Sequence, residues 1–209
     1  MSWPVSWQGT TTALVVVLVL AVLAWYLASA ATRLDRLHHR VDGARAALEN
    51  QLLRRATAAG ELAFSGLLDP ASSLLVAGSA AEAVAAGEGV AGDGLAGDPA
   101  GPGLPETRAA ASADREQAES DLSRTLRATL DDPDLVASLR TNPLGADLVA
   151  ALGAACHRVE LARRFHNDAV SQALRVRGKR VVRLTRLAGR AGPLQTFEVD
   201  DAPPRAIRP

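Results

Sequence analysis

In LDRLHHRVDGARAALENQLLRRA, residues 34–56, the apolar residues Leu34, Leu37, Val41, Ala44, Leu48 and Leu52 recur at spacings of three and four. A 3.6-residue period gathers them on one stripe and leaves Asp35, Arg36, Asp42 and Glu49 off the seam. A helix with one apolar stripe has to bury it against another element, so this segment implies a partner helix. No proline or turn pair intervenes between Ala31 and Gly43, and the helix is expected to run without interruption from whatever precedes it.

Upstream lies ALVVVLVLAVLAWYLASAA, residues 13–31, a run of nineteen residues without a charge. At 1.5 Å rise per residue, a helix of that length is about long enough to cross a ~30 Å hydrocarbon layer. Trp25 and Tyr26 near one end, and Trp3 and Trp7 before the other, stand where interfacial aromatics do. Arg33, Arg36, Arg40 and Arg45 follow at once, and by the positive-inside rule they hold that flank in the cytoplasm. The expected layout is a short extracytoplasmic N-terminus over 1–12, a transmembrane helix over 13–31 and a cytoplasmic domain over 32–190, in a cell inner or plasma membrane. A cleaved signal peptide is the competing reading, because Ala28-Ser29-Ala30 is an A-x-A site. Against it, the first 32 residues hold no Lys or Arg, and the apolar run is longer than a typical signal core.

Downstream, apolar residues continue through Leu62, Phe64, Leu67 and Leu68 to Asp69-Pro70, where the proline breaks or restarts the helix. A shorter second helix is expected over 71–86. GEGVAGDGLAGDPAGPGLP, residues 87–105, has seven glycines and three prolines in nineteen residues, which predicts a disordered loop. A third helix is expected from about Glu106 to Leu130, with Ala118, Leu122, Leu126 and Leu130 at four-residue steps and a stop at Asp131-Asp132-Pro133. Asp134 to Leu139 forms a short helical piece closed by Thr141-Asn142-Pro143. The last long helix carries Leu144, Leu148, Leu152, Ala155, Val159, Ala162, Phe165, Ala169 and Ala173 as its stripe. Gly178 weakens it, and 191–209 is expected to be a flexible tail. No run alternates as a strand would. The fold class is all-α: one N-terminal transmembrane helix followed by an antiparallel bundle of about four helices with a long Gly/Pro-rich loop.

The 23 basic and 23 acidic residues cancel, which argues against wholesale nucleic-acid binding. Cys156 is the lone cysteine, so it forms no intramolecular disulfide or thiolate metal site and reads as small core filler. His38 and His39 are adjacent, point about 100° apart on a helix and cannot share a metal. His157 or His166 with Asp168 gives no metal-ligand spacing, and no glycine-rich loop follows a strand. No catalytic, metal or cofactor-binding residue is therefore assigned, and no cofactor. Two polar groups remain. Arg163 and Asn167, four apart beside Phe165, are expected to make a structural or recognition contact against the first helix through Asp42 or Glu49. Arg175, Arg177, Lys179, Arg180, Arg183 and Arg186 interleave with Val and Leu. That run is expected either to lie on the anionic inner leaflet or to form a solvated helix end. Nucleic acid ranks behind both, since the run lacks stacking aromatics.

Three stretches, LDRLHHRVDGARAALENQLLRRA at 34–56, DDPDLVASLRTNPLGADLVAAL at 131–152 and RVELARRFHNDAV at 158–170, resemble the LemA family of bacterial inner-membrane proteins. In residues 34–56 the similarity falls on Val41, Ala44, Leu48, Gln51, Leu52, Arg54 and Arg55. DDPDLVASLRTNPLGADLVAAL, residues 131–152, is similar to the family's turn into a Leu-rich helix. In RVELARRFHNDAV, residues 158–170, the pattern is carried by Arg158, Val159, Ala162, Arg163, Phe165, Asn167, Ala169 and Val170. Cys156 stands where the family commonly has Glu, and His166 where it commonly has Tyr. The resemblance implies one N-terminal span before a helical bundle and brings no established reaction. The expected function is a membrane-anchored, non-enzymatic scaffold or adaptor whose partners are the bilayer and other envelope proteins. The alternatives are a secreted helical binding protein after signal-peptide cleavage, and an enzyme with an unrecognised site.

Overall fold

The computed structural model describes residues 7–96, 104–177 and 194–208. Helices α1 (Trp7–Phe64), α2 (Pro70–Ala96), α3 (Leu104–Leu130), α4 (Pro133–Thr141) and α5 (Pro143–Arg177) follow in order, and a 3₁₀ turn, Arg205–Ile207, lies in the C-terminal segment. The chain is all-helical, with no strand among the described residues. α1 is unbroken over 58 residues, on the order of 87 Å. The apolar run and the striped segment are thus one rod, as the absence of a breaker between them implies.

Three Asx-Pro pairs set the helix starts. Asp69 Oδ1 accepts from the N–H groups of Ala71 and Ser72, both at 3.0 Å, at the head of α2. Asp132 Oδ1 accepts from Asp134 N–H at 2.9 Å before α4, and Asn142 Oδ1 from Leu144 N–H at 2.9 Å before α5. In each pair the Asx side chain meets an orphan donor while proline, which lacks one, takes the first helical position. Between α1 and α2 the chain turns at Gly66, whose φ of 74° is open to glycine at no steric cost.

The helices pack in the order α3, α2, α1, α5, with α4 against α5. α1 and α5 run antiparallel: Val41 clusters with Ala169, Val170 and Ala173, while Leu48 and Leu52 cluster with Val159. The largest core joins Ala59 and Leu62 of α1, Val76 and Ala80 of α2, Leu122, Leu126 and Leu130 of α3, and Val149 and Leu152 of α5. Alanines at many of these positions let the helices approach closely. α3 and α5 scarcely meet, and the side of the bundle between them is closed by residues 194–208.

Several expectations need correction. The Gly-rich stretch expected to be a disordered loop over 87–105 is helical over 87–96 and again from Leu104; residues 97–103 lie outside the described residues. At its start the missing side chain has a use, since a Cβ on Gly87 would sit 1.6 Å from Arg115 Nη1. The tail expected to be flexible over 191–209 is packed over 194–208, with Asp201, Pro203, Pro204 and Ile207 buried. Phe64, Leu144 and Phe165 are exposed, although each was placed in an apolar run or stripe. At Phe165 the buried seam passes through Val159, His166 and Val170 instead, which keeps closer to 3.6 residues per turn. Among the described residues no helix is long and apolar enough to cross a membrane. Within the 13–31 run, the side chains of Leu23, Leu27, Ala28, Ala30 and Ala31 lie outside the described residues. The expected span therefore rests on the sequence run and on the exposure of its described side chains.

Candidate functional site

Arg163 and Asn167 do share one face of α5, but neither turns toward Asp42 or Glu49. Asp42 is exposed on α1, and Glu49 accepts from Arg45 Nε at 2.9 Å, also in the open. Both α5 side chains hold the C-terminal segment instead. Asn167 Oδ1 accepts from Phe197 N–H at 2.9 Å and Asn167 Nδ2 donates to Phe197 O at 3.1 Å, so one amide side chain satisfies both polar groups of one residue. Arg163 donates to Asp201 through Nε at 2.7 Å and Nη2 at 3.0 Å, a bidentate pair. The hydrogen bond to Asp201 raises the Arg163 pKa above its ordinary value, against the opposing effect of burial.

The opposite wall is α3. Glu116 Oε1 accepts from Glu198 N–H at 3.2 Å and Ser120 Oγ from Asp200 N–H at 3.2 Å. Arg127 donates to both carboxylate oxygens of Asp200 and, through Nη1 at 2.8 Å, to Ala202 O. The Arg127 guanidinium holds the Asp200 carboxyl below its usual range. Burial pushes Glu116 up, against the pull of the Glu198 N–H. Farther along, Asp131 Oδ1 accepts from Arg205 N–H at 2.7 Å, and Arg140 Nη2 of α4 donates to Ala206 O at 3.2 Å.

Apolar contacts fix the two ends of this segment. Leu194 packs on the Val41–Val170 cluster, Phe197 on Leu48, Leu52 and Val159, and Ile207 enters the main core. Ile207 O would lie 2.5 Å from a Cβ on Gly153, so its close approach to α5 depends on that glycine. His166 is buried beside the segment, with Arg45 and Glu49 of α1 facing it. Its Nδ1 has no hydrogen-bond partner. Burial lowers the His166 pKa from its ordinary 6.5, while a hydrogen bond with the Gln195 backbone pulls the other way.

A second polar group crosses the bundle centre. Arg55 of α1, 1% exposed, reaches diagonally to α3, where Nη2 meets Glu119 Oε2 at 2.6 Å and Nη1 meets Ser123 Oγ at 2.9 Å. Arg115 Nη2 lies 3.4 Å from Glu119 Oε1, so two guanidinium groups face one buried carboxylate. Such a group braces helices that otherwise scarcely touch. Cys156 is buried in the core near Arg55; desolvation pushes its thiol up, with Arg55 pulling the other way.

Sequence reasoning found Arg163 and Asn167 and missed their partners. Phe197, Asp200-Asp201 and Pro203-Pro204 were a signal, since a free tail has no use for an aromatic beside paired acids. Arg115, Glu119 and Ser123 recur at four-residue steps, alongside Ala118, Leu122 and Leu126, which placed them next to the buried seam. Of the basic run, Arg175 is exposed at the end of α5, while the Arg177 side chain and Lys179, Arg180, Arg183 and Arg186 lie outside the described residues. Among the described residues no group of three His, Cys, Asp or Glu is placed to hold a metal ion. No protein-family model matches the chain, and neither a curated protein nor a solved structure does.

Proposed function

We propose that the chain is a membrane-tethered helical scaffold, similar in kind to the LemA proteins, which binds other envelope proteins through its bundle and performs no catalysis. In this reading residues 13–31 cross the inner or plasma membrane, the N-terminus lies outside and the bundle lies in the cytoplasm.

The observation that carries it is the state of α1 near its start. Leu14, Val15, Val16, Val17, Leu18, Val19, Leu20 and Val22 are each more than half exposed, all round the helix. Burying a side chain of this kind is worth about 1.5–3 kcal/mol, so eight of them left in water is a large cost that a lipid environment removes. A helix apolar on every side is suited to a core or a bilayer, and the described side chains of this stretch of α1 are left uncovered by the bundle. The arginines from Arg33 to Arg45 set the orientation.

Reporter fusions after Pro209 test the reading. A reporter that works only in the cytoplasm is expected to be active there, and one that works only outside to be silent. The reverse result would overturn the orientation. Release of the reporter into the medium would favour the secreted alternative.

A further inference from the structure

We propose that the groove between α3 and α5 is a binding site for an extended acidic peptide segment of a partner protein, and that residues 194–208 are its resident occupant. The inference rests on the scaffold reading in one respect, that a scaffold meets its partners through its bundle.

The groove holds its occupant as peptide sites hold theirs. The N–H groups of Phe197, Glu198, Asp200 and Arg205 and the carbonyls of Phe197, Ala202 and Ala206 all meet side chains of α3, α4, α5 or, at Asp131, the turn between α3 and α4. Main-chain recognition of this kind accepts any extended chain, and selectivity comes from the side-chain positions. Here there are two kinds. Paired carboxylates meet an arginine on each wall, Asp200 with Arg127 and Asp201 with Arg163. Apolar residues flank them, Phe197 three positions before the pair and Ile207 six after it. The fitting partner is therefore an extended segment with two adjacent acids, an aromatic upstream and an aliphatic downstream.

The resident segment is joined to α5 by residues 178–193. A ligand on the same chain competes intramolecularly, so a free segment has to overcome its effective concentration. A partner enters when its own segment is bound better or is itself concentrated, which makes occupancy a regulated event.

The test uses the full chain in detergent micelles, with a specific protease site placed within 178–193. After cutting, a fluorescent peptide LQTFEVDDAPPRAIR, residues 194–208, is added in excess. The cut chain is expected to stay helical and to take up one labelled peptide. The uncut chain should bind that peptide at least tenfold more weakly, and so should the cut chain with a peptide carrying Asp200→Asn and Asp201→Asn. No uptake over a day, equal binding of the two peptides, or unfolding on cutting would each overturn the proposal. Dimers of the uncut chain with exchanged segments would place a second copy in the groove and overturn it as well. None of these outcomes depends on membrane topology, so the groove and the tether stand or fall separately.

Discussion

Asn167 commits its whole amide to one residue of the C-terminal segment. Asn167→Ala leaves the Phe197 N–H and carbonyl without those bonds, and a loss of about 1–3 kcal/mol is expected, read as a lower denaturant midpoint at unchanged slope. An unchanged midpoint would mean that the segment contributes nothing to stability. Arg55 matters for a different reason. Arg55→Met leaves Glu119 buried with only Arg115 nearby, and breaking a buried pair in this way costs about 3–5 kcal/mol. Adding Glu119→Met should recover much of that loss if the cost is an uncompensated charge; no recovery would mean the residues matter for packing. His166 supplies the pH dependence. Its folded pKa lies below 6.5, so the unfolded chain gains the proton first, and stability present above pH 6.5 falls as the pH drops through the folded value. Asp200 adds to this at lower pH: its depressed pKa stabilises the fold above the ordinary 3.8, and that share is lost as pH falls further. Melting temperatures measured from pH 7.5 to 5 should decline for the wild-type chain and flatten for His166→Gln, and parallel curves would remove His166 from the account.

Helix starts were legible because Asx-Pro pairs act locally: Asp69, Asp132 and Asn142 each hold the cap that their sequence position advertises. The stripe of α1 was legible for the same reason, with Val41, Leu48 and Leu52 buried as their spacing requires. The glycine-rich stretch was misread up to Ala96 because propensity is a weak prior, and contacts such as that between Gly87 and Arg115 decide where it is overridden. The C-terminal segment was misread because its hold is non-local: nothing near Phe197 in sequence announces Asn167, thirty residues away. Gly153 tests that element directly. Gly153→Ala places a methyl group against Ile207 O and is expected to free the segment's end while the helices remain. Trypsin should then cut after Arg205 several-fold faster at unchanged helicity, and equal cutting rates would show that the contact does not hold the end.

At the scale of the whole chain, a single rod carries an apolar stretch at one end and the bundle at the other. Four long helices leave one side open, and the chain closes it with its own C-terminal segment in place of a direct α3–α5 interface. The proposed membrane anchor is the premise on which the location and orientation of that groove depend. Alkaline carbonate washing of membranes from producing cells, followed by intact-mass measurement of the protein, tests it most directly. The full chain beginning at Met1 should remain in the pellet with the lipid. A washed-out protein, or one whose mass shows that it starts after Ala30, would contradict the account.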